Sequence, residues 1–342
     1  MATDSVTGAR SAFEVLARTR GLLDPDLRTA VLTLPGALRK VAGYQLGWWD
    51  SEEKPTAGDG GKAIRPAFTL VCAEAVGGSA VDALPAAVAV ELVHNFSLLH
   101  DDVMDADITR RHRATAWTVF GVPQAILAGD AMTALASKVL TATGSHWAAP
   151  AVALLNESVV QLCEGQFSDV EFERAGEIDL VECELMVAGK TASLLGVSCA
   201  LGALAGGADL DAVRRLDEFG RRIGLAFQLI DDVLAIWGEP EVTGKPRGED
   251  LVRRKKSLPV VAALCSGTEA GRELDEIYRS SQPVDVAKAG ALVEAAGARE
   301  WARERAQDEI DLAIACLDAV KCAPQPRVEL VQLANLVTRR TS

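Results

Sequence analysis

Between Pro150 and Pro240 the chain has no proline. Nothing there forbids long helices, and Ala, Leu, Val, Glu and Arg recur at intervals of three and four. Cationic side chains are also short in supply: 35 Lys and Arg face 48 Asp and Glu, a net charge of −13. That balance argues against nucleic acid or an anionic membrane surface as the main partner, because both would be repelled. Paired cysteine spacing is missing too. Cys72, Cys163, Cys183, Cys199, Cys265, Cys316 and Cys322 are scattered, most of them among apolar residues, which reads as reduced thiols of a cytoplasmic protein. The first twenty residues lack the apolar run of a signal peptide, and no later run of eighteen residues is free of charged or polar breaks, so no membrane span is expected. Four histidines, His94, His100, His112 and His146, are too few and too dispersed for a helical metal phosphohydrolase.

What is present is helical. No alternating strand pattern of useful length appears, and the other prolines fall beside Gly, Asp or Ser clusters that punctuate shorter segments. The periodicity predicts helices at 9–22, 26–42, 61–77, 81–106, 123–142, 148–175, 179–205, 209–237, 257–266, 283–316 with a break near Gly297, and 326–339. Residues 51–61 and 238–256 read as loops. No linker is rich enough in Pro, Gly or Ser to divide the chain, so an all-α single bundle is expected.

Two acidic clusters end apolar helices roughly 130 residues apart. In the first, ELVHNFSLLHDDVMD, Asp101 and Asp105 are four apart and stack on one helical face, with Asp102 beside them. Carboxylates held that way repel unless a cation lies between them, and magnesium suits such hard oxygen donors. The second, FQLIDDVLA, carries Asp231 and Asp232 after Gln228, but position 235, four after Asp231, is Ala. A solvated helix end would explain either cluster alone; two of them, embedded in apolar helix, call for a ligand.

Basic residues complete the pattern. GGKAIRP sets Lys62 and Arg65 three apart at a helix start, where glycines and free amides suit an anion. Arg110 and Arg111 follow the first cluster, and the arginine fork binds phosphate oxygens in pairs. Gly189-Lys190-Thr191 suggests a kink that opens a small-residue helix. Lys245 and Lys255 lie in the charged loop after the second cluster. So many cations fit two diphosphates.

In order and spacing these segments resemble the polyprenyl synthetase family, the trans-prenyl diphosphate synthases, over roughly 55–265: GGKAIRP, ELVHNFSLLHDDVMD, RRHRATAW, CEGQFSDV, MVAGKTASL, FQLIDDVLA and TGKPRGEDLVRRKKSLP. The resemblance implies one isoprenoid-synthase-like helical domain over 1–342, flexible through about residue 20, with a central apolar cavity, working as a homodimer. It implies that Lys62, Arg65, His94 and Arg111 hold isopentenyl diphosphate. Asp101, Asp105 and Asp231 would ligate Mg²⁺, with Asp102 supporting, while Arg110, Lys190, Thr191, Gln228, Lys245 and Lys255 would contact an allylic diphosphate (dimethylallyl, geranyl or farnesyl). The expected catalytic set is Asp101, Asp102, Asp105, Asp231 and Lys190. Two departures stand out: Ala63 replaces the usual Arg of the first block, and Ala235 the last Asp of the second acidic motif. Phe96 and Ser97, five and four residues before Asp101, are where a growing prenyl tail would point, and a bulky Phe96 predicts a product of fifteen or twenty carbons, leaning to geranylgeranyl diphosphate. The rival expectations are a class I terpene cyclase or specialised prenyltransferase on the same fold, and an inactive subunit of a heteromeric synthase.

Overall fold

The computed structural model describes residues 8–56, 60–173, 176–238 and 248–338. The described chain runs α1 (Ala12–Leu32), α2 (Gly36–Gln45), α3 (Ile64–Ala75), α4 (Leu84–Met104), the hairpin β1 (Thr109–Arg110) and β2 (Arg113–Ala114), α5 (Ala116–Phe120), α6 (Val122–Ala142) and α7 (Ala148–Phe172). It continues through α8 (Leu180–Val187), a π turn (Ala188–Ala192), α9 (Ser193–Ala205), α10 (Leu210–Trp237), α11 (Glu249–Val252), α12 (Leu258–Leu264), α13 (Glu269–Arg279), α14 (Val286–Ala295), α15 (Ala298–Asp318) and α16 (Pro324–Thr338). The fold is all-α, as the periodicity predicts.

The chain gathers into two compact units: residues up to 159 with 194–217 and 316–333, and residues 160–193 and 218–315 with 334 onward. In the first, α4 is buried on nearly every side, from Leu84 to Leu99, and packs on α1, α3 and α6. Helix α3 is equally apolar and meets α9 through glycines: a Cβ on Gly202 would stand 2.0 Å from the Thr69 carbonyl oxygen. Arg10 ties the start of the chain down by pairing with Glu329 at 2.6 Å and Glu74 at 3.0 Å. In the second unit, Cys183, Met186 and Val187 of α8 pack with Leu229 and Val233 of α10, Leu258 and Val261 of α12, and Ala302 and Ala306 of α15.

Several expectations are corrected. The break predicted at Pro25 is absent, since α1 runs straight through it to Leu32. A mid-helix proline costs about 3 kcal/mol, but Leu23, Leu27 and Val31, all at most 1% exposed, continue the buried stripe across it and offset that cost. Helix α13 was not foreseen: its sequence is heavily charged, and the signal was Thr268, whose side chain accepts from the Gly271 amide at 3.0 Å as an N-cap. Helix α3 starts at Ile64, not 61, because Ala63 adopts a left-handed φ of 50°. Two segments, Val122–Ala142 and Leu180–Ala205, have the length and mean hydropathy that a membrane span needs. Yet α6 carries Asp130 and Lys138 and packs along α4, and the second segment is mostly buried and interrupted at Lys190.

Candidate active site

The first acidic cluster sits on the last turn of α4, where the Asp105 amide donates to the Asp101 carbonyl at 2.8 Å. The two side chains therefore share a face one turn apart. Asp102 points elsewhere. It is 1% exposed, its Oδ1 accepts from Arg110 Nε at 2.6 Å, and its Oδ2 is buried without a hydrogen bond. Burial pushes this carboxyl up to about 6, against the pull of Arg110. Arg110 is thus anchored through Asp102, with Asp107 a looser 3.9 Å away.

The hairpin after α4 turns at Arg111 and His112, both left-handed with φ of 52° and 59°. Two non-glycine residues in that region store backbone strain of order 1–3 kcal/mol each, the kind that gathers where a side chain must be aimed. Arg111 is aimed at Gly61. A Cβ there would lie 2.6 Å from the Arg111 Nη2, so only glycine, itself at φ 87°, leaves room. Lys62 follows on the same loop and is exposed. Arg65 of α3 places Nη1 3.4 Å from His94 Nε2. Burial, then the charges of Arg65, Arg111 and Arg110, hold His94 well below its ordinary value of 6.5, so the ring is neutral and can accept from Arg65. The structure thereby brings Arg65, His94 and Arg111 to one corner, with Lys62 next in the chain to the Gly61 that Arg111 packs on.

A depressed histidine has a sign for stability. Above pH 6.5 folded and unfolded chains both keep it neutral; below, only the unfolded chain takes up the proton, so stability falls as the medium is acidified. Denaturant titrations of His94→Gln in the ligand-free protein should show a flatter acid limb, by about 1.4 kcal/mol per pH unit over the first unit or two. Parallel limbs for the two proteins would contradict a neutral buried ring.

Phe96 is buried and meets the His100 ring edge-on at 4.8 Å. Both rest on Gly129 of α6, where a Cβ would be 2.3 Å from His100 Nε2 and 3.3 Å from Phe96 Cδ2. His100 Nε2 lies 2.9 Å from the Ile126 carbonyl. Ser97, half-buried, donates to the His94 carbonyl at 2.8 Å.

The second acidic cluster lies in the other unit. On α10, Asp232 is buried and accepts at Oδ1 from Gln228 Nε2 (2.7 Å) and at Oδ2 from the Leu258 amide (3.0 Å). Burial pushes its carboxyl up to about 7. Gln228 in turn accepts from the Thr191 hydroxyl at 2.8 Å. The kink expected at Gly189 is a full π turn, and such bulges cluster at functional sites. Lys190, on that turn, bonds Asp169 at 2.6 Å. These groups, with Asp250 and Lys255, line a cavity of about 110 Å³. A larger hollow of about 680 Å³ in the same unit is lined by Glu177, Asp179, Arg272, Asp275 and Arg279, with Lys256 the one motif residue on its wall. Asp231 is half-buried beside Asp232. Lys245 lies outside the described residues. Asp169, Asp250 and the buried Glu91 escaped the sequence reading. Asp169 stands inside the CEGQFSDV block, which could have pointed to it.

The donors for a metal are carboxylates alone, and among the described residues no three His, Cys, Asp or Glu come close enough to hold an ion. A cation held by so few protein donors would have to take water and ligand oxygens for the rest of its shell, a set of donors that fits Mg²⁺.

Helices that end in paired carboxylates, each in a unit that also carries guanidinium or ammonium groups, are the pattern of an enzyme class that handles diphosphates. The chain belongs to the polyprenyl synthetase family, which it matches over residues 54–296. It is 46% identical to the geranylgeranyl diphosphate synthase of Mycobacterium tuberculosis, an alignment covering 95% of this chain and 93% of that protein. The (2E,6E)-farnesyl diphosphate synthase of the same species is 42% identical, over 98% and 96%. The crystal structure of a polyprenyl synthetase from Streptomyces coelicolor superimposes with a TM-score of 0.91 at 44% identity, covering 94% of this chain and 98% of that one.

Proposed function

We propose that the chain is a Mg²⁺-dependent trans-prenyl diphosphate synthase that joins isopentenyl diphosphate to an allylic diphosphate (dimethylallyl, geranyl or farnesyl) and yields geranylgeranyl diphosphate. The observation that carries this reading is the corner at Arg65, His94 and Arg111, with Lys62 next in the chain to Gly61: cations around a neutral histidine, with the Arg111 guanidinium in space that only glycine leaves. Such a corner suits a diphosphate held by side chains alone.

Asp101 and Asp105, with Asp231, would hold the ions, which when bound supply charge neutralisation of the departing diphosphate. Lys190 and Thr191, released from Asp169 and Gln228, would with Lys255 take phosphate oxygens as the carbon–oxygen bond opens. Leu92, Phe96 and Leu99, each at most 7% exposed, keep apolar surface behind the first acidic cluster, where water would otherwise quench an allylic cation. Departing diphosphate can accept the final proton, so no protein base is invoked.

The test is product mass after incubation with labelled isopentenyl diphosphate and each primer. Products of fifteen or twenty carbons are expected, and only products of thirty or more would overturn the length. Phe96→Ala should lengthen the product by one or more five-carbon units, whereas an unchanged product would leave Phe96 as packing for His100. A cyclase, the reading that Ala235 keeps in view, would not elongate at all.

A second copy of this chain is the proposed partner. Val122, Ile126 and Leu127 of α6 and Leu154 of α7 are 37–57% exposed, apolar side chains that homodimerisation would cover. Light scattering that gave the mass of one chain would remove the dimer.

A further inference from the structure

Helix α1 lies before the stretch matched to the family, which begins at residue 54, yet one of its side chains reaches the diphosphate corner. Arg20 Nη2 donates to the Gly61 carbonyl. Its Nη1 and Nη2 lie 3.3 and 3.4 Å from where a Cβ on Gly60 would stand, so the guanidinium lies against both glycines. Asp24, one turn on, holds it at 3.2 Å. From the other side comes Arg111, 2.6 Å from the Cβ position of Gly61. The Gly60-Gly61 dipeptide is therefore clasped between two guanidinium groups, and Lys62 is the next residue. The charge of Arg20 also reaches buried Glu91, as do those of Arg65 and Arg111.

The peptide geometry gives the clasp a direction. A carbonyl oxygen turned toward a diphosphate would repel it. By holding the Gly61 carbonyl toward α1, Arg20 fixes that peptide plane, and in a trans peptide the Lys62 N–H must point the opposite way. We propose that Arg20 is a positioning residue for the homoallylic diphosphate, acting through the Gly61 carbonyl to hold the loop that presents Lys62 and packs on Arg111. The inference rests on the assignment of isopentenyl diphosphate to that corner.

Arg20→Ala should raise KM for isopentenyl diphosphate about tenfold, the size of one lost hydrogen bond to a charged group. The KM for the allylic primer and the kcat at saturation should stay within about twofold. Calorimetric Kd for isopentenyl diphosphate without metal should rise by a similar factor. Arg20→Lys, which keeps the charge and one donor, should recover part of the loss. If Arg20→Ala does not fold, Arg20→Lys and Asp24→Asn carry the test and should show the same selective rise, smaller in size. Equal rises in both KM values, a fall in kcat alone, or no change in either would overturn the proposal. Lys62→Ala separates the two layers. No effect of Lys62→Ala on the isopentenyl diphosphate KM sinks the corner itself and the inference with it; a strong effect alongside inert Arg20 variants sinks the inference alone.

Discussion

Asp101→Ala should cut turnover by about a thousandfold while leaving the KM for isopentenyl diphosphate nearly unchanged. The pair at the end of α4 offers two carboxylates on one face, held by the helical bond from the Asp105 amide to the Asp101 carbonyl. No group of three protein ligands stands nearby among the described residues. With so few donors, loss of one halves what the protein contributes at this cluster, and the charge developing on the leaving diphosphate goes partly uncompensated. Removing one preorganised stabiliser of that kind costs about 10²–10³ in rate, and weakened hold on a metal adds to it. Single-turnover kinetics at rising Mg²⁺ would check the claim: part of the loss should return as the ion is forced on. Wild-type turnover in the variant would end the metal assignment at Asp101.

Gly165→Ala should cost about 2 kcal/mol of stability and a larger share of activity. The added Cβ would lie 2.2 Å from the Lys190 backbone nitrogen, 2.7 Å from the Met186 carbonyl oxygen and 2.8 Å from Gly189 C. All three are backbone atoms of α8 and the π turn, so no side chain can swing aside, and overpacking of this kind costs 1–3 kcal/mol. The turn must shift instead. It carries Lys190, bonded to Asp169, and Thr191, bonded to Gln228, so we expect kcat to fall about tenfold or more with a Tm lower by several degrees. Gly176→Ala, with nothing within 4 Å of the added carbon, is the matched control. Equal Tm and kcat for the two variants would show that the close crossing of α7 and the π turn is not needed.

Local patterns were the legible part. Asp101 and Asp105 announce a shared face through their spacing, Gly189 beside Lys190 announces a distortion, and Gly297 announces the break between α14 and α15, where its φ is 81°. Each needs only neighbours within one or two turns. Pro25 misled because its local rule was outweighed by the apolar stripe that only the packed core rewards. Arg20, Asp169 and Glu91 were silent for another reason. Arg20 reaches Gly61, 41 residues away, and Asp169 reaches Lys190, 21 away; Glu91 matters through arginines on three other segments. An Arg or Glu on an amphipathic helix looks like solvated surface until the fold supplies its partner. The clasp at Gly60-Gly61 likewise depends on which guanidinium groups arrive there.

The π turn at Ala188–Ala192 also leaves a mark on how this chain can vary. One such turn is an α-helix with a single residue slipped in, so every side chain of α9 is rotated about 100° from where unbroken winding after α8 would put it. Deleting any one residue from 188–192 would restore straight winding and swing Gly202 off Thr69, undoing a helix crossing at the far end of the same segment. Length in this stretch is therefore constrained by mechanics: a substitution leaves the winding intact, whereas a one-residue gap changes it and calls for a compensating insertion within the same helix.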